Sequence, residues 1–394
     1  MSEWKRVRLG DCCRSISDGD HLPPPKTDSG IPFVTISDIH NNRFDLSNTR
    51  FVPEAYYEAI DQKRKIQKGD VLYSVVGSYG IPVFANESLK VAFQRHIAIL
   101  RPSGEIEPRF LYYSMLNRDF FLKADAVAVG AAQKTITLAA LRGLEIALPP
   151  LPIQRRIATI LSDYDSAIDN ARRQIALLEE AAMRLYREWF VVHADPKWEK
   201  KRLWDVCEYF RGVSYTSKEI EGKDGVPLIT LKNIERFGGF REDRSKTFSG
   251  VCKDGSSAGP NDVLMAVTDM TKERRLVGHV AMVPDTYDKA QFSMDLIRLK
   301  GKLVSDSFLY AMLRYSTYAD EFAVRASGAN VLHLKPSSLD DCEVVVPRRE
   351  LREKFDFAFV PMAQKKNALY RIILRLTEAR DRLLPKLMSG EIEV

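Results

Sequence analysis

The sequence predicts an α+β fold built as an internal repeat: two copies of one unit, each a mixed domain followed by a long helix. Three observations predict it. Landmarks recur in the same order about half a chain apart. The domain part of each copy sets short β-branched and aromatic runs between Gly, Pro, Asn and Asp. Each copy then runs into a stretch whose apolar residues step as a coiled-coil seam.

The repeat is read from matched residues. Trp4-x4-Leu9-x-Asp11 returns as Trp198-x4-Leu203-x-Asp205, 194 positions on. Ile31-Pro32-Phe33-Val34-Thr35-Ile36 returns as Val226-Pro227-Leu228-Ile229-Thr230-Leu231 at an offset of 195. Gly69-Asp70-Val71-Leu72 answers to Asn261-Asp262-Val263-Leu264 at 192, and Phe110-Leu111-Tyr112 to Phe308-Leu309-Tyr310 at 198. Gly130-Ala131, Leu141 and Pro149 keep the offset of 198 with Gly328-Ala329, Leu339 and Pro347. The order never changes, so the drift implies insertions in loops between shared elements.

Within the first copy, Pro32–Ile36 and Val71–Val76 read as strands, the second behind the turn signal Lys68-Gly69-Asp70. Pro108–Leu116 reads as a short helix. From Ile153 to Phe190 there is no Gly or Pro and good helix formers dominate. Ile157, Leu161, Tyr164, Ile168, Ala171, Ile175, Leu178, Ala182, Leu185 and Trp189 step alternately by four and three. Shifted by 198, the positions are Phe355, Phe359, Met362, Lys366, Leu369, Ile373, Leu376, Arg380, Leu383 and Leu387: the same seam with two charged interruptions. Two such seams in one chain are expected to pack on each other, with Ile168, Ile175 and Leu178 against Leu369, Ile373 and Leu376. Pro361 is expected to kink or start the second helix, and Pro385 to end it.

Composition excludes several classes. A chain of 394 residues at 45% hydrophobic can build two or three cored domains and is not wholly disordered. No apolar run reaches the roughly 18 residues of a membrane helix. The start of the chain lacks the apolar stretch of a signal peptide, so a cytoplasmic protein with no membrane partner is expected. The five cysteines form no C-x-x-C pair and the six histidines stand singly, so no metal site is expected. Phosphate-loop, dinucleotide-fold, amino-methyltransferase and nucleophile-elbow motifs are absent, which leaves no catalytic residue and no cofactor to assign. The net charge of +6 is compatible with nucleic acid without demonstrating it.

Candidate DNA contacts are individually weak and gain from recurring. Gln94, Arg95 and His96 follow an apolar run and offer donors to base edges or phosphates. Gly130-Ala131-Ala132 leads into Gln133, Lys134 and Thr135, where small residues let the backbone approach a phosphate. Asn330, His333 and Lys335 occupy the matching place in the second copy, and Lys272, Arg274 and Arg275 form a further basic cluster. For each group alone, an ordinary solvated loop is the competing reading.

The lead-in Leu148-Pro149-Pro150-Leu151-Pro152-Ile153-Gln154, the helix ending Leu185-Tyr186-Arg187-Glu188-Trp189-Phe190 and the C-terminal Leu384-Pro385-Lys386-Leu387-Met388-Ser389-Gly390 carry a resemblance. Over its full length the chain resembles the specificity subunit of Type I restriction–modification systems. The resemblance implies two target recognition domains, 1–150 and 194–348, each reading half of a split double-stranded DNA target. It also implies that the helical regions 151–193 and 349–394 pair as an antiparallel coiled coil, a pseudo-twofold arrangement that docks two modification subunits. Those subunits would hold S-adenosylmethionine and methylate adenine, and separate restriction subunits would use ATP to cleave. The second copy departs from the pattern: Pro347-Arg348-Arg349-Glu350 replaces the proline-rich lead-in, and Ser293-Met294-Asp295 stands in place of Gln94-Arg95-His96. The competing functions are an enzyme in its own right, a coiled-coil scaffold without sequence-specific binding, and the specificity subunit of a methylation-only system.

Overall fold

The computed structural model describes residues 4–21, 24–46, 49–131, 133–220, 222, 224–241, 246–271 and 273–394; Ala132 and the candidate Lys272 lie outside them. The chain divides into two compact units, Met1–Ile168 with Arg375–Val394, and Asp169–Leu374.

In the first unit, Cys13–Asp18, Ile97–Pro102, Val71–Ser74 and Pro82–Phe84 lie side by side in that order, all antiparallel. Alternation along a strand sends successive side chains to opposite faces. Val71, Tyr73 and Leu100 thus pack with Phe110, Leu111 and Tyr113 of the helix Pro108–Leu116. Leu72, Ile97 and Ile99 pack on the other face with Val34, Ile39 and Phe93. A second sheet orders Arg50–Val52, Ile31–Val34 and Ala92–Phe93, the last pair parallel. A two-stranded ribbon joins Lys5–Arg8 to Glu145–Leu148. The strand expected over Pro32–Ile36 stops at Val34, because the Thr35 N–H donates to Asp38 Oδ2 at 2.7 Å and a 3-10 turn, Ile36–Asp38, begins.

The second unit repeats this order. Cys207–Arg211, Leu296–Gly301, Val263–Ala266 and Val280–Met282 form its four-stranded antiparallel sheet, and Glu199–Arg202 pairs with Glu343–Val346. Its second sheet runs Lys246–Phe248, Val226–Ile229, Ala290–Phe292, Ser257–Ala258. One further pairing, Thr268–Asp269 with Leu332–His333, matters for the site.

Among the described residues two long helices occur, Leu151–Arg187, continued by a π turn over Glu188–Val192, and Arg349–Ser389. The second one runs through both prolines: it does not start at Pro361, and the end expected at Pro385 is corrected to Ser389. Each proline frees the carbonyl four residues back, and both freed carbonyls belong to exposed residues, Phe357 and Asp381, where water can replace the lost bond. Of the six seam residues expected to face each other, Ile168 and Leu369 are buried, while Ile175, Leu178, Ile373 and Leu376 are half-buried.

The charged interruptions have partners. In the first unit Arg380 donates to Asp165 at 2.6 Å, and the Tyr113 hydroxyl donates to the same carboxylate. In the second unit Lys366 is paired with Glu179, which also accepts from the Tyr310 hydroxyl at 2.9 Å. Burial works against ionising Glu179, but the Lys366 and Arg314 charges and these hydrogen bonds outweigh it and hold its pKa below the usual range.

The start of each helix is tied down at one position. Gln154, buried, donates to the carbonyls of Pro149 at 2.8 Å and Glu105 at 3.3 Å. Arg352 does the same to Pro347 at 2.9 Å and Leu303 at 2.8 Å. The altered lead-in of the second copy therefore keeps the fastening with a different donor.

Candidate nucleic-acid interface

In the first unit the expected reading segments meet at Val75. Its N–H donates to the His96 carbonyl, and its own carbonyl accepts from the Ile136 N–H, both at 2.8 Å. Gln94–His96 forms a tight turn, with the Gln94 N–H on the Val34 carbonyl and the Arg95 N–H on that of Asp20. The turn lies so close to Gly19 that a Cβ there would stand 2.2 Å from the Phe93 oxygen. Arg95 is exposed; His96 is half-buried, and burial followed by the Arg95 charge lowers its pKa.

Just before Ile136 the chain forms a narrow hairpin in which Val129 and Thr135 exchange N–H···O bonds of 2.9 and 2.8 Å. Gly130 turns it with φ of +107°, and a Cβ there would meet the Gln133 oxygen at 2.5 Å. Gln133 and Lys134 are exposed at its tip. The Lys134 ammonium is not a free cation: it sits 2.7 Å from Asp125, whose carboxylate also takes the Tyr79 hydroxyl. Tyr79 in turn stacks on Phe121, centroids 6.0 Å apart.

The second unit reproduces the frame bond for bond. Val267 donates to the Asp295 carbonyl at 2.9 Å and accepts from the Leu334 N–H at 2.8 Å. Gly212 makes the close approach of Gly19, 2.1 Å from the Ser293 oxygen to a Cβ built there. Ser327 and His333 exchange the hairpin bonds, at 3.0 and 2.8 Å. His333 takes the place of Thr135, Met294 that of Arg95 and Asp295 that of His96. Asn330, His333 and Lys335 are exposed, while Arg274 and Arg275 are half-buried in the loop after Asp269.

The frame itself escaped sequence reasoning. Val75 and Val267 act through their main chains and leave no side-chain signature. Gly19 and Gly212, 193 positions apart, were a legible signal, since two glycines at the repeat offset mark a shared close approach. Among the described residues no group of three or more His, Cys, Asp or Glu is placed to hold a metal ion, and no helix is long and apolar enough to cross a membrane.

Residues 1–180 match the family described as Type I restriction modification DNA specificity domain. The chain is similar to the Type I restriction-enzyme specificity subunits. It is 24% identical over 390 residues to the MjaIX specificity subunit of Methanocaldococcus jannaschii, covering 92% of this chain and 87% of that one. It is 23% identical over 471 residues to the HindI specificity subunit of Haemophilus influenzae, with both chains covered completely. Among solved structures, the Type I system S subunit from M. genitalium shares the fold at a TM-score of 0.57 and 16% identity, over 98% of this chain and 96% of that one. The Val75 hairpin and turn fall inside the matched specificity domain, and Val267 anchors their counterparts outside it.

Proposed function

We propose that this chain is the non-catalytic DNA sequence-specificity subunit of a Type I restriction–modification complex. It reads a bipartite double-stranded target and directs adenine methylation and restriction by partner subunits. One observation carries the reading: the Val75 frame recurs at Val267 with the same main-chain bonds and different exposed side chains. A catalytic pair would keep its chemistry in both copies. A pair of readers keeps its backbone and changes its donors, because base edges are told apart by donor and acceptor pattern.

On this reading 1–150 and 194–348 are the two target recognition domains, and 151–193 and 349–394 pair as an antiparallel coiled coil between them. Support comes from the ion pairs: from Asp165 to Glu179 the first helix advances fourteen residues, and from Arg380 to Lys366 the second retreats fourteen. Two modification subunits supply S-adenosylmethionine chemistry and restriction subunits supply cleavage; this chain holds no cofactor. The test is to map methylated adenines in cells that carry the full chain and its modification partners. Exchanging residues 1–150 for those of a relative should change one half of the methylated sequence; a change in both halves, or methylation without sequence preference, would refute the reading.

A further inference from the structure

The repeat offset is 192 at Val75 and Val267 but 198 at Gly80 and Gly278. Both glycines close the same bond, to the carbonyl of Ser74 at 2.9 Å and of Ala266 at 2.8 Å, and both have positive φ, +88° and +83°. The six extra residues of the second unit therefore fall in one loop: four residues, 76–79, link the two points in the first unit, and ten, 268–277, in the second.

The described residues of this loop, all but Lys272, are held in place rather than merely tolerated. Asp269 is fully buried, and its carboxylate accepts from the Thr271 N–H and hydroxyl at 2.7 Å, the Leu276 N–H at 2.6 Å and the Val277 N–H at 3.1 Å. Burial opposes its charge, but these donors prevail and its pKa is lowered. From outside the loop, the Phe237 N–H donates to the Arg275 carbonyl at 2.7 Å. A connection alone needs none of this, as the first unit shows with four residues. Ordering additional chain costs conformational entropy, and a buried carboxylate is tolerated only when its hydrogen bonds are met.

What the loop presents is Met270, 74% exposed; Arg274 and Arg275 follow in the same loop, both half-buried, with Arg274 donating to the Val324 carbonyl at 3.4 Å. The pairing of Asp269 with Leu332 fixes it beside the hairpin that carries Asn330 and His333, where Thr268 Oγ1 lies 3.4 Å from His333 Nδ1. An exposed apolar side chain with two arginines in the same loop suits a duplex groove: thymine shows a methyl group there, and guanine shows the paired acceptors that arginine takes.

Resting on the specificity reading above, we infer that segment 269–277 is a third reading element, present in the second unit alone. It lets that unit specify base pairs that the shared turn and hairpin do not reach, with Met270 against a thymine methyl and Arg275 on a neighbouring base edge or phosphate.

The test is selection of randomised duplexes by the full chain in complex with its modification subunits. Met270→Gln is expected to reduce preference for thymine at one position at least about fivefold. Arg275→Gln should relax an adjacent position if it meets a base, or weaken all sequences alike and lower the salt slope if it meets a phosphate. Replacing 269–277 by Gly-Ser-Tyr, the sequence of 77–79, should remove those preferences while the other half-site stays fully specified, which also reports that the chain is folded. Loop variants that select the unaltered bipartite sequence would overturn the assignment and leave the specificity reading standing, as would variants that lose only a protein partner. A wild-type complex that selects no sequence would bring down both.

Discussion

Asp165 accepts from the Arg380 guanidinium at 2.6 Å, with side chains only 19% and 20% exposed. Removing one partner of a largely buried pair leaves the other charge desolvated. Arg380→Met is expected to destabilise the first unit by about 3 kcal/mol in urea unfolding. Pairing it with Asp165→Leu should recover much of that loss. A single-variant cost under about 1 kcal/mol would class the pair with ordinary surface ion pairs.

Gly19 and Gly212 tolerate no side chain, since the atoms their Cβ would strike are backbone oxygens that a rotamer change cannot move. Gly212→Ala is expected to destabilise by about 3 kcal/mol, at the upper end of overpacking. Because Gly212 presses on the Ser293 turn, specificity for one half-site should degrade in the same variant. An alanine variant with unchanged melting and target would show that the turn can shift at no cost.

His279 should make the second unit sensitive to acid. It is buried, its Nε2 has no hydrogen-bond partner among the described residues, and burial lowers its pKa despite Asp320 at 3.9 Å; Arg314 adds to the lowering and Asp269 opposes it. The unfolded chain then takes up the proton first, so this group's stability is present above about pH 6.5 and is lost as pH falls toward the folded value. The loss is at most about 1.4 kcal/mol per pH unit in that window. Chemical denaturation at several pH values should show the slope in the wild type and a shallower one in His279→Gln.

Lys134 offers a contrast between charge and availability. Its salt bridge with Asp125 implies that Asp125→Asn releases the ammonium, strengthening binding to all duplexes and steepening the salt dependence by up to about one unit. Lys134→Ala should weaken binding equally across sequences, whereas Gln133→Ala should blur one position. Titrations at several salt concentrations separate the three.

On the proposed coiled coil, one heptad inserted after Ala171 and another after Ile373 falls between the two ion pairs in both helices. The added seven residues lengthen the helical span by about 10 Å, or roughly three base pairs of B-DNA. The preferred spacer should grow by about that much while both half-sites stay the same. An unchanged spacer in a folded, active variant would separate spacer length from the helices.

The elements with a strong period were legible. Pro108–Leu116 forms over the residues the sequence indicates, and the long helices follow their seams within a few residues. Lys366 and Arg380 looked like flaws in the second seam because a seam is judged one strand at a time, and their acids sit on the other helix. Pro385 read as an end because its tolerance depends on whether the freed carbonyl belongs to an exposed residue, which no single-chain pattern records. The drift from 192 to 198 was visible as a number, but assigning it to one loop required the shared bonds at Gly80 and Gly278. Among the proposed contacts, Lys134 was legible as a residue, whereas its pairing with Asp125 depends on the fold.

Two carbonyls decide what residue 352 has to be. Those of Pro347 and Leu303 ask for two N–H groups on a stem long enough to reach them, and a guanidinium answers as the amide of Gln154 does for Pro149 and Glu105. Neutral drift at such a place can wander among donors while the main chain stays where it was. Ancestry there is kept in the positions of acceptors, and a comparison made letter by letter passes over it.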